Sequence, residues 1–370
     1  MKTKRPSVLA LALLLGCAVS CGPKTPPPDS SLSQPDPGPA VSVIAPVEPD
    51  PQPAPEDPPE LPFANPLTGE GCETDISKNR PIAVMLNNLK KALPQLGVSQ
   101  ADIIYEIPAE GGITRMLALF QDIDGVGTIG SVRSARDYYV SLACGHDAIY
   151  LHAGGSPQAY TAISNLGAAA LDCVNGPYEG TLYWRDQQRR KTVGMEHSVV
   201  TSSEKIQELF PTYTRLRQEH KDGFSFPWTF SEDAAPAAGR QADTVTIQFS
   251  TYKTGVFQYD GDSGLYYVSE YGQPYVDGNN DQQVAVKNVL ILNTDVSAIP
   301  GDSAGRLKVR TTGTGRGVFA CGGKAEDITW SRASDSVPPA FQNAQGKPLE
   351  LGVGTTYINI IGSTASYTLE

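Results

Sequence analysis

The hydrophobic pattern changes period near residue 225, and this constrains the fold more than any other feature of the chain. Before that point apolar residues come in short unbroken runs: Ile82-Ala83-Val84-Met85-Leu86, Asp102 to Ile107, Met116 to Gln121 and Ala148-Ile149-Tyr150-Leu151. Short unbroken runs bounded by turn residues fit strands buried on both faces. Between them, Ser134 to Cys144 carries apolar and aromatic residues at helical spacing. Gly154-Gly155-Ser156-Pro157 opens a second helix, with the proline where its missing N–H costs nothing. Thr201-Ser202-Ser203-Glu204 reads as a capping box, Thr201 and Glu204 satisfying each other's amides ahead of a helix to about Phe210. Gly223 to Ala242 is rich in Gly, Pro, Ala and acids, and after it the period becomes two. Val245-Ile247-Phe249, Phe257-Tyr259, Leu265-Tyr267 and Val284-Val286 alternate with polar neighbours, and the series runs on through Val289 to Leu292, Val318-Phe319, Ile328-Trp330 and Tyr357 to Ile361. The expected fold is an α/β N-terminal domain with a mixed sheet over 61–224, followed by a β-rich C-terminal domain over 225–370.

Neither pattern reaches into the first sixty residues. Fourteen of the 30 prolines fall between Gly22 and Glu60, with seven acids against the single Lys24. Such a stretch favours extended polyproline II and is expected to act as a tether over 22–60, with a reach on the order of 100 Å. Its composition fits a spacer and a tail of no required length equally well. Ahead of it, Met1 to Pro6 is basic and Ser7 to Val19 is apolar. An apolar run that short, behind positive charges, reads as a secretory signal rather than a membrane span.

Ala18-Val19-Ser20-Cys21 and Leu14-Leu15-Gly16-Cys17 both resemble the lipobox of bacterial lipoproteins, in which small residues precede a cysteine that is acylated and becomes the new N-terminus. Cys21 is preferred, because it follows a full-length apolar run and precedes Gly22 and a polar tail. The leucine at the first lipobox position favours Cys17 instead. Residues 1–21 are then a lipoprotein signal peptide, and acyl chains such as palmitate would hold the mature protein on the extracytoplasmic face of the cell membrane. An ordinary secretory signal with two incidental cysteines is the competing reading.

The whole chain carries a net charge of −11, and the residues after the tether carry −8 of it. A body that acidic lacks the cationic footprint needed to neutralise phosphates, so nucleic acid is not an expected partner. Cys72, Cys144, Cys173 and Cys321 remain in the body. Export permits disulfides, and four cysteines allow three connectivities that sequence does not choose among. With no CxxC, no HExxH, no GxSxG and no phosphate loop, neither metal nor cofactor is expected. Thr312 to Gly317 is glycine-rich but lies among strands, which makes it a hairpin rather than a phosphate cradle.

Chemistry-bearing residues are densest from Glu106 to Gly155. Glu106, Glu110 and Arg115 fall in one piece, and Arg133, Arg136 and Asp137 in another. Arg133 and Arg136 lie three apart where a strand passes into a helix, a spacing that on a helical start puts them on one face. Beside the free N–H groups of a helix N-terminus they would hold phosphate, pyrophosphate or carboxylate. The alternative is that they pair with Glu106, Glu110 or Asp137 as structural ion pairs. Glu106 and Glu110 fit an acid and base pair or ligands for a hard cation, but the favoured reading is solvated or arginine-paired acids. His152 ends a buried strand beside Gly154-Gly155, where it fits a general base or a core residue bonded to backbone. His197 precedes the capping box within reach of the same region, while His146 and His220 read as surface residues.

The run Arg80 to Asn88, then Ser99 to Glu106, Glu110-Gly-Gly-Ile-Thr-Arg115, Gly130 to Arg136 and Asp147 to Ser156, resembles the YerB-type bacterial lipoproteins. Gly315-Arg-Gly-Val-Phe319 and Trp330 extend the likeness, which covers about 66 to 363. It implies a two-part extracytoplasmic lipoprotein of no established biochemical function, and it carries over no catalytic residue. Cys144 and Cys173 stand outside that pattern, so a disulfide between them would be a local feature. The order strand, Gln-Ala-Asp, strand, strand and Ser-x-Arg-x-x-Arg also looks like the start of the LytR-CpsA-Psr phosphotransferases, which move glycopolymers from lipid pyrophosphate carriers to the wall. Gln100 stands where that family has an arginine, and the likeness covers about a quarter of the body.

Two function classes follow. The first is a membrane-anchored binding or scaffold protein of the cell envelope, not an enzyme, with an anionic cell-wall ligand or an envelope protein engaged near Arg133 and Arg136. The second is an envelope enzyme acting on lipid-linked, phosphoryl-bearing glycopolymer, with Arg115, Arg133 and Arg136 as phosphate clamps and Asp102 as metal or base residue. Convergence of Asp102 with the three arginines in one deep cleft would favour the second.

Overall fold

In the computed structural model the described residues are 61–370; the signal peptide, Cys17, Cys21 and the proline-rich tether lie outside them. The unbroken apolar runs become β1 (Ile82–Asn87), β2 (Ile103–Pro108), β3 (Thr114–Phe120) and β4 (Ile149–His152), all but fully buried. Helix α1 (Asp137–Gly145) precedes β4, and α2 (Pro157–Leu166) leads to β5 (Ala170–Asp172). The period-two half supplies β6 (Thr244–Gln248), β7 (Thr254–Asp260), β8 (Leu265–Glu270), β9 (Asn288–Asn293), β10 (Gly313–Cys321), β11 (Lys324–Arg332), β12 (Thr356–Ile361) and β13 (Ser366–Leu369). An α/β segment with a mixed sheet is therefore followed by a β-rich one, and the glycine-rich run at 312–317 does run into a hairpin strand.

Strands from both sides of residue 225 build one eleven-stranded sheet. Its order runs β11, β10, β9, β12, β2, β3, β1, β4, β5, with Arg240–Gln241 at the β11 edge and Ala340–Gln342 paired to β11 off that path. β12 lies parallel to β9 on one side and to β2 on the other, while β3 runs antiparallel between β2 and β1. β1, β4 and β5 are parallel, and α2 supplies the crossover that the parallel β4–β5 pair needs.

Period two sorts the core. Ile82, Val84 and Leu86 pack with Val245, Ile247, Phe257 and Val268 on one face, where the antiparallel sheet of β6, β7, β8 and β13 lies. Ala83, Met85, Leu117 and Leu119 pack on the other, against Tyr138, Tyr139 and Leu142 of α1. The central sheet is covered on both sides, which is why its strands read as solid apolar runs. Residues 61–370 are accordingly a single compact unit.

Three local expectations need correction. The cap of the helix Ser203–Leu209 is Ser202, whose hydroxyl accepts from the Lys205 amide, and not Thr201. Thr201 is buried in the strand Val199–Ser202 and donates to the Leu182 carbonyl at 2.8 Å, so it has no freedom to cap. His146 is fully buried, its Nδ1 2.9 Å from the Leu142 carbonyl, and burial pushes its pKa down to about 3. The His220 side chain is also buried, stacked on Phe224 and 3.2 Å from Asp147. All four described cysteines are free thiols, Cys173 and Cys321 buried and Cys72 and Cys144 half-buried.

Candidate functional site

β1, β2 and β4 point the same way, so their carboxyl ends share one edge of the sheet, the edge where open α/β sheets commonly place ligands. The segment Ser131–Ala135 crosses that edge. Asn87 donates its amide to the Ser131 carbonyl, Arg133 donates to Met85, and Ala135 donates to Gly154. Six of the eight side chains picked out from the sequence lie along this edge: Glu110, Arg115, Arg133, Arg136, His152 and His197; Glu106, also near the carboxyl end of β2, bonds within a separate buried cluster.

Glu110 organises the arginines. Arg115, at the start of β3, donates to Glu110 Oε1 at 2.8 Å and to the Ser134 carbonyl at 2.6 Å. Arg136 grips both Glu110 oxygens, with Nε at 3.2 Å from Oε2 and an Nη on Oε1. Burial alone would raise the Glu110 pKa, but the two guanidiniums outweigh it and hold the carboxyl below its usual range. Burial, then Arg136, lowers the Arg115 pKa to about 10.

Arg133 turns the other way, to the carbonyl and carboxylate of Glu196. Its side chain is 19% exposed, against 6% for Arg115 and 8% for Arg136, so it is the arginine that solvent reaches most readily. Arg133 and Arg136 do not share a helical face: the stretch before Asp137 is extended, and Arg136 is the N-cap of α1 with an extended backbone. The start of α1 already carries a negative charge, the Asp137 carboxylate in its first turn.

His197 is buried beside this group. Its Nδ1 lies 2.8 Å from Asn87 Nδ2, and Asn87 Oδ1 already accepts from the Leu89 amide. The Asn87 amide group therefore donates, Nδ1 accepts, and the ring proton sits on Nε2, which is 3.2 Å from Glu196 Oε1 in poor alignment for a hydrogen bond. Burial first, then Arg133, lowers the His197 pKa and keeps the ring neutral, with Lys91 and Arg189 adding to the effect. The neighbourhood is cationic within an acidic body. His152 is fully buried, its Nδ1 2.9 Å from the Gly154 carbonyl and its ring stacked on Tyr150. Burial lowers its pKa, and its bonding is that of a core residue tied to backbone.

Asp102 is the exception, and the convergence required of an enzyme site fails with it. It precedes β2 at the amino end, next to the Ile103–Leu119 pair, whereas Arg115 pairs with Ile107, about 15 Å along the strand. There it accepts from Asn65 at 2.9 Å and from the Gln121 amide at 2.5 Å, and burial raises its pKa to about 7. Two clefts, of 570 and 640 Å³, are lined by other residues, Phe226 and Trp228 in one and Asp137 and Arg310 in the other.

Glu106 belongs to a cluster the sequence did not reveal. Lys253 Nζ lies 2.9 Å from Glu106 Oε1 and contacts Glu270 Oε2, and all three side chains are buried. Asn88 and Thr114 donate to Glu106 Oε1, and Tyr357 donates to Oε2. The partners lie up to 251 residues away, so no local motif marks them. One signal was available: Tyr266, Val268 and Glu270 share the inward parity of β8, and that places an acid in the core.

Most of the body matches a known family. A family described as "Protein of unknown function (DUF3048)" matches with its N-terminal domain over residues 67–215 and its C-terminal domain over 245–358. The chain belongs to the DUF3048 family. Among DUF3048 relatives, "Putative lipoprotein YerB" of Bacillus subtilis is 33% identical over 302 residues, which are 80% of this chain and 85% of that protein. The crystal structure of the YerB protein from Bacillus subtilis superposes with a TM-score of 0.71 at 28% identity, over 83% of this chain and 99% of that one. The two YerB matches bear out the resemblance read from the sequence and support a lipoprotein of no established activity.

Proposed function

We propose that this chain is a lipid-anchored binding protein on the extracytoplasmic face of a bacterial membrane, and that an anionic ligand engages it at Arg133. The supporting observation is the charge balance at the carboxyl edge. Arg115 and Arg136 spend their charge on the single carboxylate of Glu110, while Arg133 has only the exposed Glu196 for a partner. An incoming phosphate or carboxylate displaces Glu196 from Arg133 and leaves the Glu110 clamp intact. Two charge-assisted bonds from one guanidinium contribute about 1.5–3 kcal/mol each. The ligand class is an anionic cell-wall component, such as a polyprenyl pyrophosphate or a phosphoryl-bearing glycopolymer, or an acidic surface of an envelope protein.

Thermal melting of the body from Leu61 onward tests the binding half. A ligand at a hundred times its dissociation constant adds about 2.7 kcal/mol. The midpoint is expected to rise with a polyprenyl pyrophosphate or a wall glycopolymer fragment and to stay put in Arg133→Ala. No rise with any of them ends the anion-site reading and leaves a protein partner. Metabolic labelling of the full chain with palmitate tests the anchor. Label is expected in the wild type and absent from Cys21→Ala; loss in Cys17→Ala instead moves the site, and no label in the wild type removes the anchor.

A further inference from the structure

We propose that Lys253 and Glu270 condense into an intramolecular amide, with Glu106 as the acid–base group that drives the step. Two carboxylates and one ammonium share a fully buried space, so the ammonium balances only one of them. Glu106 has donors of its own in Asn88, Thr114 and Tyr357. Glu270 has none: both of its oxygens are buried without a hydrogen-bond donor, and its one polar contact is Lys253. An isolated carboxylate is among the costliest groups to bury.

Proton transfer from Lys253 to Glu270 removes both charges and leaves a neutral amine facing a neutral carboxylic acid. Burial favours that state, and it lowers the Lys253 pKa despite the opposing charge of Glu106. The rings of Phe249 and Tyr271 flank Nζ at 5.6 and 5.1 Å and wall the pair from water. Local backbone fixes both partners. Ser250 accepts the amides of Tyr252 and Lys253 and so holds the turn before β7, while Tyr271, at φ 54, and Gly272, at φ 73, form the turn that follows Glu270. Two groups held in contact react with a high effective concentration.

In the step, Nζ attacks Cδ of Glu270 and the Nζ–Cδ bond forms. Glu106 takes a proton from the nitrogen and passes it to the departing hydroxyl, the Cδ–O bond breaks, and one water leaves. No oxidant or other co-reactant is needed. Glu106 ends as a carboxylate with its three donors, and the new amide N–H points at it from the place Nζ now holds, so every charge left in the cluster is partnered. The amide closes the open end of the β7–β8 hairpin, where Gly255 pairs with Glu270. It is a covalent staple in a chain whose described cysteines are all free.

Peptide mapping of the purified full chain decides it. Trypsin followed by a protease that cuts at Asp260 and Asp262 opens the hairpin tip between the two residues. The expected product is a pair of peptides that stay joined and are lighter than their sum by one water, with fragmentation placing the bond at Lys253 and Glu270. Lys253→Arg and Glu106→Gln are expected to give the separate peptides. Separate peptides of full mass from the wild type overturn the proposal, whether or not the variants fold. Joined peptides from Glu106→Gln overturn the part assigned to Glu106.

Discussion

Glu110 and Asp102 are both largely buried carboxyls, and their surroundings push them in opposite directions. The two guanidiniums hold the Glu110 pKa down, so its contribution to stability is present above its ordinary value near 4.5 and is lost as pH falls through the lower folded value. Replacing it by glutamine leaves Arg115 and Arg136 facing each other with no anion between them. Glu110→Gln is expected to cost about 2 kcal/mol in urea unfolding at pH 7, less below pH 4, and an unchanged midpoint at pH 7 would contradict the clamp. For Asp102 burial raises the pKa to about 7 from an ordinary 3.8, so the folded state binds the extra proton. Its contribution is fully present below pH 4 and disappears as pH rises through 7, a change on the order of 4 kcal/mol. Asp102→Asn, which mimics the protonated acid, is expected to flatten that decline; a variant profile that still falls in parallel with the wild type places the titration elsewhere. The sequence showed which acids and bases were dense enough to matter. It did not show the partners of Glu106, because Lys253 comes to it from another sheet layer and Tyr357 from the far end of the chain.

At the scale of elements, caps and parities carry the legible information. The Ser156 hydroxyl accepts the Ala159 amide at 3.1 Å, Pro157 occupies the first position of α2, and Gly167 closes the helix at φ 61. The opening at Ser156-Pro157 is legible in the sequence because it meets a local need of a helix start. Ser156→Ala is expected to lower stability by about 1 kcal/mol, read as a shift of the chemical midpoint with unchanged slope; no shift would mean that the cap contributes nothing beyond water. The cap at Ser202 was misplaced by one residue because Thr201 fits the same motif, and only its burial beside Leu182 distinguishes the two. Strand existence was legible almost throughout, since burial on both faces leaves unbroken apolar runs and burial on one face leaves alternation. The course of Ser131–Arg136 was not, because an extended crossing and a first helical turn have similar composition there.

In the whole molecule, β12 is the element on which both halves depend. It fills the place between β9 and β2, so the N-terminal strands lack one neighbour until residues 356–361 are in position. Unfolding of the body from Leu61 onward is therefore expected to be one transition, coincident by tryptophan fluorescence and far-ultraviolet circular dichroism. Two separated transitions would mean that the halves are stable apart. The sequence implied both classes of segment and the change between them. It did not imply their fusion into one sheet, because parallel pairing across some 250 residues leaves no short-range mark. The sheet that joins them also sets the carboxyl edge against which Arg133 lies, and that edge is the centre of the functional reading. The most direct measurement is the Arg133 Nε–H resonance of 15N-labelled body during titration with inorganic pyrophosphate. A saturable shift of that resonance, with the buried Arg332 unmoved, is the expected result. No shift at saturation, or the same shift in exposed arginines such as Arg316, would contradict an anion site at Arg133.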